Sequence, residues 1–204
     1  MSNRSRESGL SRRGFLKGAG VTAAGAAIAE AGFASFAQAQ QTSQNVNIIS
    51  GTTTITLQVN GAAKTVQVEP RTTLAEALRV NLDMTGTKIV CDRGACGGCT
   101  VHIDGQPVDS CMTLAIDVVG RQIKTIEGLA QGDVLHPVQA QFIEHDAMQC
   151  GFCTSGMVMS SAALLEHNKN PSLEEIKHAC SGNLCRCGTY PHVFAAVQAA
   201  AKQM

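Results

Sequence analysis

The sequence is poor in aromatic residues: none of its 204 residues is tryptophan, one is tyrosine, and aromatic side chains make up 3% of the chain. Proteins that bind single-stranded nucleic acid stack bases on such side chains, so this shortage argues against that class. The chain also has no excess of charge, with 16 basic and 16 acidic side chains. We therefore expect no nucleic-acid partner. With 44% hydrophobic residues, the chain can still bury a core.

Several cofactor signatures are missing as well. No Cys-x-x-Cys is followed by histidine, because Thr100 and Thr154 occupy those positions. This excludes covalent c-type haem in this chain. The six histidines show no His-x3-His spacing, and only Cys99 with His102 offers half of the spacing of a Rieske centre. We expect the histidines to have surface or packing roles.

Cysteine is abundant instead, and eight of the nine cysteines fall into two sets of four. The first set has the Cys-x4-Cys-x2-Cys spacing of plant-type ferredoxins and consists of Cys91, Cys96, Cys99 and Cys111. The glycines between them, Gly94, Gly97 and Gly98, let the backbone curl and direct N–H groups at an anionic cluster. The pattern predicts a [2Fe-2S] cluster. A zinc site with four cysteine ligands is the alternative.

The second set has a different spacing and consists of Cys150, Cys153, Cys185 and Cys187. Cys185 and Cys187 are too close in sequence for comfortable disulfide geometry, so a shared metal is the simpler explanation. The spacing alone does not decide whether this metal is zinc or iron. A thioredoxin-like redox pair would need a βαβ context, whereas the residues before Cys150 are predicted to be helical. We expect the ninth cysteine, Cys180, to be a small core residue on a helix.

Two runs resemble a known family. Residues 148–157 (MQCGFCTSGM) and 181–188 (SGNLCRCG) are similar to the iron-sulfur subunit of the xanthine oxidase family of molybdenum hydroxylases. The loop at residues 91–99 resembles that family's ferredoxin-like domain, and residues 125–129 (TIEGL) resemble the end of that domain. The resemblance runs from about residue 52 to the C-terminus. Within the family, the chain is most similar to small subunits of exported aldehyde oxidoreductases.

The resemblance implies an electron-transfer subunit with two [2Fe-2S] clusters, one in each cysteine set. It also implies a large molybdopterin-binding subunit and, as acceptor, an FAD-binding subunit or a c-type cytochrome subunit. Gln149 and Cys187 would contact the molybdopterin cofactor, and no residue of this chain would be a catalytic acid, base or nucleophile. Capping of a helix is the alternative role for Gln149.

The reaction that the resemblance implies is the oxidation of an aldehyde, with this chain as the non-catalytic iron-sulfur subunit of the oxidoreductase complex. Three alternatives stay open. They are the small subunit of a related hydroxylase that acts on N-heterocycles, a free-standing two-cluster ferredoxin, and a binding module stabilised by zinc.

Residues 1–39 have the features of a twin-arginine signal peptide. The twin-arginine run SRRGFLK at residues 11–17 precedes a weakly hydrophobic stretch that contains Glu30, and Ala37-Gln38-Ala39 is a cleavage signal. Such a stretch does not predict a transmembrane anchor. We expect export to the periplasm in the folded state, with clusters built beforehand in the cytoplasm. The remaining chain has 11 basic and 14 acidic side chains.

The fold class predicted for the exported chain is α+β. Residues 40–50 are polar and predict a flexible leader. Apolar and polar side chains alternate at residues 54–59 and 65–68, on either side of Asn60-Gly61, which predicts a hairpin. The residues on either side of Asp104-Gly105 predict a second hairpin. Thr73 and Glu76 predict a helix with a capping box, and residues 122–126 predict a last strand. Residues 51–129 are thus a β-grasp, plant-type [2Fe-2S] ferredoxin-like domain.

Residues 130–204 have helical periodicity. They predict helices at 137–145, 154–167, 172–179 and 193–202, the third with a capping box of Ser172 and Glu175. Cysteines at the helix junctions would converge, which gives a four-helix [2Fe-2S]-binding domain. Gly156 and Ser160 lie one turn apart and predict a close contact between helices.

Overall fold

The computed structural model describes residues 49–204. The predicted signal peptide, residues 1–39, lies outside the described residues, as does all of the predicted leader except residues 49 and 50. In residues 49–204, no helix combines the length and the apolar character needed to cross a bilayer.

Five strands form the sheet of the first half. The order across the sheet is β2-β1-β5-β3-β4, with β1 parallel to β5 and every other pair antiparallel. This topology with a helix after the first hairpin is the predicted β-grasp arrangement. The strands are β1 (Thr53–Val59), β2 (Ala62–Val68), β3 (Thr100–Ile103), β4 (Gln106–Asp109) and β5 (Gln122–Lys124).

Both predicted hairpins are present. Asn60 and Gly61 have φ values of 53° and 78°, and Asp104 and Gly105 have 50° and 80°. Two consecutive residues in the left-handed region make the tight turn whose twist matches that of antiparallel strands. The strand β2 begins directly after its turn, earlier than predicted, because it pairs with the whole length of β1. The last strand, β5, is shorter than predicted.

The helix α1 follows the first hairpin. The Thr73 hydroxyl accepts a hydrogen bond from the N–H of Glu76, which is one half of the predicted capping box. The helix is α-helical over Leu74–Glu76 and continues as a π-helical turn over Ala77–Asn81. Leu74 and Leu78 are fully buried against the sheet.

Four helices form the second half, as predicted. The capping box of Ser172 and Glu175 is present, and His136 with Gln139 forms another one that the sequence analysis missed. The last helix begins earlier than predicted, at Tyr190, with Pro191 in its first turn, where proline is favoured. The helices are α2 (Pro137–Glu144), α3 (Thr154–His167), α4 (Leu173–Ala179) and α5 (Tyr190–Ala201).

Each half has its own hydrophobic core. The core under the sheet extends in sequence to Ile123, and the core between the helices begins at Leu129. The predicted boundary between residues 129 and 130 stays a prediction. Phe142, Met157 and Leu165 are among the largest fully buried side chains of the helical core.

His102 connects the two halves. Its Nε2 lies 2.8 Å from the carbonyl oxygen of Met159 in α3 and donates a hydrogen bond to it, because a carbonyl only accepts. The side chain is 1% exposed. Burial lowers the pKa of His102, because the charged imidazolium would lose its hydration. The predicted packing role of this histidine is confirmed.

The stability of the fold is expected to fall as the pH decreases through about 6.5. The unfolded chain takes up a proton on His102 near its usual pKa of 6.5, whereas the folded chain resists it, so stability that is present above this pH is lost below it. Thermal unfolding midpoints measured from about pH 8 to about pH 6 test this. His102→Gln keeps a donor for Met159 but does not titrate, so its midpoint should decline less. An equal decline would contradict the prediction. Burial also lowers the pKa of His136, so part of the pH dependence of the unfolding midpoint remains in the His102→Gln variant.

Candidate iron-sulfur sites

The first cysteine set lies beside the sheet. Cys91, Cys96 and Cys99 are on the loop between α1 and β3, and Cys111 is on a short 3-10 turn after β4. Cys99 and Cys111 are 2% and 4% exposed, whereas Cys91 and Cys96 are half-buried. The set therefore has an inner pair and an outer pair.

Backbone N–H groups point at the sulfur atoms of this set, as predicted. The N–H of Ala95 donates to Sγ of Cys91, and the N–H of Gly94 donates to Sγ of Cys111, each at 3.3 Å. Gly94 and Gly97 have φ values of 65° and 64°, which only glycine adopts without strain. A loop of this kind stabilises negative charge on sulfur.

The second cysteine set lies among the helices. Cys150 is in the loop between α2 and α3. The residues directly before it are not helical, contrary to the prediction, since α2 ends at Glu144. Cys153 is the N-cap residue of α3. Cys185 and Cys187 are in the loop between α4 and α5. Cys150 and Cys187 are exposed, whereas Cys153 and Cys185 are half-buried.

The thiols of each set interact in pairs. For four of the thiols, the pKa responds most strongly to one other thiol of the same set. Cys91 responds to Cys96, Cys99 to Cys111, Cys150 to Cys187, and Cys153 to Cys185. Among residues 49–204, no group of three or more His, Cys, Asp or Glu side chains is arranged around one ion position. Two thiolates on each of two irons is the ligation of a four-cysteine [2Fe-2S] cluster. The donor atoms and their pairing fit such a cluster.

The pKa values of the thiols are shifted in both directions. Burial raises the pKa of Cys99 and that of Cys153 to about 12 each. The N–H of Arg93 lowers the pKa of Cys91 to about 7. For Cys185, burial opposes the hydroxyl and N–H of Thr189, which together with other donors lower its pKa to about 7. Metal binding requires thiolates, so loading of both sites releases protons.

The two cysteine sets meet at a shared backbone junction. The N–H of Leu184 donates to the carbonyl oxygen of Cys96 at 2.9 Å, and Nδ2 of Asn183 donates to the carbonyl oxygen of Gly97 at 2.8 Å. A Cβ added to Gly156 would overlap that same Gly97 oxygen. The prediction of a helix contact at Gly156 is therefore wrong in its partner, since the close approach is made by the loop of the first cysteine set.

Gln149 and Cys187 lie on the same exposed face. Gln149 is exposed in the loop between α2 and α3, directly before Cys150, whose thiol interacts with that of Cys187. The N-cap of α3 is Cys153, so the alternative that Gln149 caps this helix is wrong. The molybdopterin contact of both residues stays a prediction.

The region contains one residue whose role was predicted and three whose roles were not. Cys180 is 2% exposed at the C-cap of α4, within the helical core, as predicted. Asn183 and Leu184 were not predicted as junction residues, although both lie in the run SGNLCRCG. Tyr190 was not predicted either, and its hydroxyl accepts a hydrogen bond from the N–H of Cys185 at 2.8 Å.

Known families match both halves of the chain. Residues 57–125 match the model of the 2Fe-2S iron-sulfur cluster binding domain, and residues 125–198 match the [2Fe-2S] binding domain. Together they support two [2Fe-2S] clusters. Residues 9–29 match the twin-arginine translocation signal sequence, which supports export by that pathway.

Individual relatives are similar over most of the chain. It is 46% identical over 165 residues to the aldehyde oxidoreductase iron-sulfur-binding subunit PaoA of Escherichia coli O157:H7, which covers 74% of this chain and 72% of that protein. It is 49% identical over 143 residues to the nicotine 6-hydroxylase small subunit of Paenarthrobacter nicotinovorans, which covers 70% of this chain and 86% of that protein.

The fold is also similar to a solved structure. The crystal structure of quinoline 2-oxidoreductase from Pseudomonas putida 86 superposes with a TM-score of 0.72 and 45% identity over 75% of this chain and 96% of that chain. The two cluster-binding domains, their order and these relatives agree with the resemblance read from residues 148–157 and 181–188. The chain belongs to the iron-sulfur subunits of the xanthine oxidase family of molybdenum hydroxylases.

Proposed function

We propose that this chain is the electron-transfer subunit of a periplasmic, molybdenum-dependent aldehyde oxidoreductase. Electrons would pass singly from the molybdopterin site of a large subunit, through two [2Fe-2S] clusters of this chain, to an FAD-binding or cytochrome c partner. The observation that carries the proposal is the hydrogen bond between Leu184 and Cys96, because it joins the backbones of the two cysteine sets directly. The chain contributes no catalytic acid, base or nucleophile.

Each protein group has a definite part in this function. When bound, the clusters supply one-electron oxidation and reduction. The N–H groups of Gly94 and Ala95 stabilise negative charge at the first site, and burial of Cys99 disfavours it, so these groups tune the reduction potential in opposite directions. The ligands are Cys91, Cys96, Cys99 and Cys111 at the first site and Cys150, Cys153, Cys185 and Cys187 at the second.

The exposed face around Cys150 and Cys187 is the one that we assign to the large subunit. Beside it lies a cavity of about 360 Å³ whose lining includes the exposed side chains of Leu135, Ile143 and Met148. Phe152, which lies between Cys150 and Cys153, is 60% exposed. Apolar side chains in such a cluster indicate a surface that binds another protein.

Gln149→Leu is expected to slow reduction of the bound clusters by substrate about tenfold, the loss expected for one hydrogen bond. The family resemblance implies a contact between Gln149 and the molybdopterin. Leucine keeps the size of the side chain but cannot form a hydrogen bond. Rapid-mixing absorbance measurements on the assembled complex follow the reduction. Gln198→Leu is the matched control, since Gln198 is exposed on α5 and lines a different cavity. Equal rates in both variants would contradict the assignment.

A second candidate differs only in the substrate. The relative from Paenarthrobacter nicotinovorans is a nicotine 6-hydroxylase subunit, and the similar solved structure is a quinoline oxidoreductase. An N-heterocycle is therefore the other substrate class. Anaerobic mixing of the oxidised complex with an aromatic aldehyde and, separately, with nicotine or quinoline discriminates the two substrate classes. We expect the aldehyde to bleach the cluster absorbance faster.

The composition of the native complex tests the proposal as a whole. Purification from the source, followed by measurement of iron, molybdenum, flavin and haem, should give iron and molybdenum together with either flavin or haem. A chain that elutes alone, without a molybdenum partner, would favour the free-standing ferredoxin. Zinc in place of iron would contradict the electron-transfer function.

A further inference from the structure

We infer that Asn183 is a positioning residue that fixes the distance and orientation between the two cysteine sites. The inference rests on the proposed function in one respect, namely that both sites hold [2Fe-2S] clusters. Asn183 is not a predicted ligand, yet it lies two residues before Cys185, and its side chain is 3% exposed. A buried amide in a cysteine loop requires partners, and its partners belong to the other loop.

The side-chain amide of Asn183 joins the two halves. Its Nδ2 donates to the carbonyl oxygen of Gly97 at 2.8 Å and to the hydroxyl oxygen of Thr100 at 3.4 Å. The Thr100 hydroxyl in turn donates to the same Gly97 oxygen at 2.7 Å. Gly97 follows Cys96 directly, so the bond from Asn183 links the loop of the first site to the loop of the second.

The space around the amide is closed on both sides by glycine backbone. A Cβ on Gly97 would overlap Nδ2 of Asn183 and would lie 2.7 Å from the carbonyl oxygen of Gly182. A Cβ on Gly156 would lie 3.0 Å from the same Nδ2. Gly97 belongs to the loop of the first site, and Gly156 belongs to the helix that begins after Cys153. The amide therefore acts as a spacer of fixed size between the two sites.

The backbone of Asn183 is itself anchored in the helical half. Its N–H donates to the carbonyl oxygen of Cys180 at 3.0 Å, at the end of α4. Its carbonyl oxygen accepts from the hydroxyl of Tyr190 at 3.4 Å, and that hydroxyl also accepts from the N–H of Cys185. Because the C-terminal end of α4 and the N-terminal end of α5 both hold this residue, its side chain transmits the position of the helical half to the first loop.

A positioning role differs from a tuning role in what it changes. The hydrogen bonds of the Asn183 side chain go to oxygen atoms, so its removal alters the placement of the sites and leaves the N–H groups that point at sulfur in place. Electron exchange falls exponentially with distance, and magnetic dipolar coupling falls with its cube. Both quantities respond to small displacements, whereas reduction potentials respond mainly to charge and hydrogen bonds at sulfur.

The test uses the assembled complex with Asn183→Ala and Asn183→Leu. In fully reduced wild-type complex, the two paramagnetic clusters should split each other's electron paramagnetic resonance signals. We expect the splitting to become smaller in both variants, with both midpoint potentials unchanged. Hydrogen exchange of the peptide that contains the Leu184 N–H should become about tenfold faster, the change expected for one lost hydrogen bond. His102→Phe is the control, because it removes a different side-chain hydrogen bond between the halves and should retain the splitting.

The outcomes separate the inference from the proposed function. Retained splitting and unchanged hydrogen exchange in the Asn183 variants would overturn the positioning role and leave the electron-transfer function standing. A wild-type complex with a single iron-sulfur signal would overturn the proposed function itself. If the Asn183 variants do not assemble, Thr100→Val decides, since it removes one partner of the amide and should narrow the splitting without abolishing it. An unchanged splitting in that variant would overturn the inference.

Discussion

Replacement of Cys185 by serine is expected to remove about half of the iron from the purified complex and to abolish turnover of the proposed aldehyde substrate. Cys185 interacts with Cys153, whose pKa is raised to about 12 by burial, so loss of the Cys185 thiolate leaves Cys153 as a protonated, half-buried thiol. A serine hydroxyl is a poor replacement for a soft thiolate ligand. The first site keeps all four of its cysteines. The measurement is iron per molybdenum, together with the number of iron-sulfur resonance signals.

Cys180→Ala is the matched control for this experiment. Cys180 lies five residues earlier, is 2% exposed, and has its thiol 3.7 Å from the hydroxyl oxygen of Ser161 within the helical core. Its removal should cost about 1 kcal/mol of stability through the small cavity that it leaves, with iron content and activity retained. Full activity in Cys185→Ser, or loss of iron in Cys180→Ala, would contradict the ligand assignment.

Gly156→Ala is expected to destabilise the fold by about 3 kcal/mol, the upper end of the usual cost of overpacking. The added Cβ would overlap the carbonyl oxygen of Gly97, and a backbone atom cannot rotate away as a side chain does. Relief requires that α3 and the loop with Cys96 move apart, which also strains the hydrogen bond from Leu184. Chemical unfolding measured by circular dichroism gives the free energy of unfolding.

Gly182→Ala provides the comparison for that prediction. Gly182 lies in the same region, but a Cβ added to it meets no atom within 4 Å. Its free energy of unfolding should therefore stay within about 0.5 kcal/mol of the wild-type value, as for most surface substitutions. If Gly156→Ala and Gly182→Ala were equally stable, the junction would not be as close as the structure has it.

Much of the fold could be predicted because the signals are local. Asn60-Gly61 and Asp104-Gly105 each encode a turn in two residues, and Ser172 with Glu175 encodes a helix start in four. The spacing of the cysteines likewise indicates iron-sulfur chemistry without knowledge of the fold.

The junction could not be predicted in the same way, because its contacts connect distant parts of the chain. Asn183 and Gly97 are 86 positions apart, and no local pattern states that one bonds to the other. The spacing of Gly156 and Ser160 indicated a close approach but not its partner, since a glycine leaves room for any backbone. The pairing of Cys91 with Cys96 and of Cys99 with Cys111 also follows only from the folded loop.

The unequal shielding of the thiols has a consequence for copies of the chain that have not yet found a partner. Cys150 and Cys187 are open to solvent, whereas Cys99 and Cys111 are almost enclosed. Peroxide and other oxidants attack accessible thiolates first. A copy without its partner would thus be oxidised first at the face that we assign to the large subunit. It would lose its ability to assemble before it lost all of its iron.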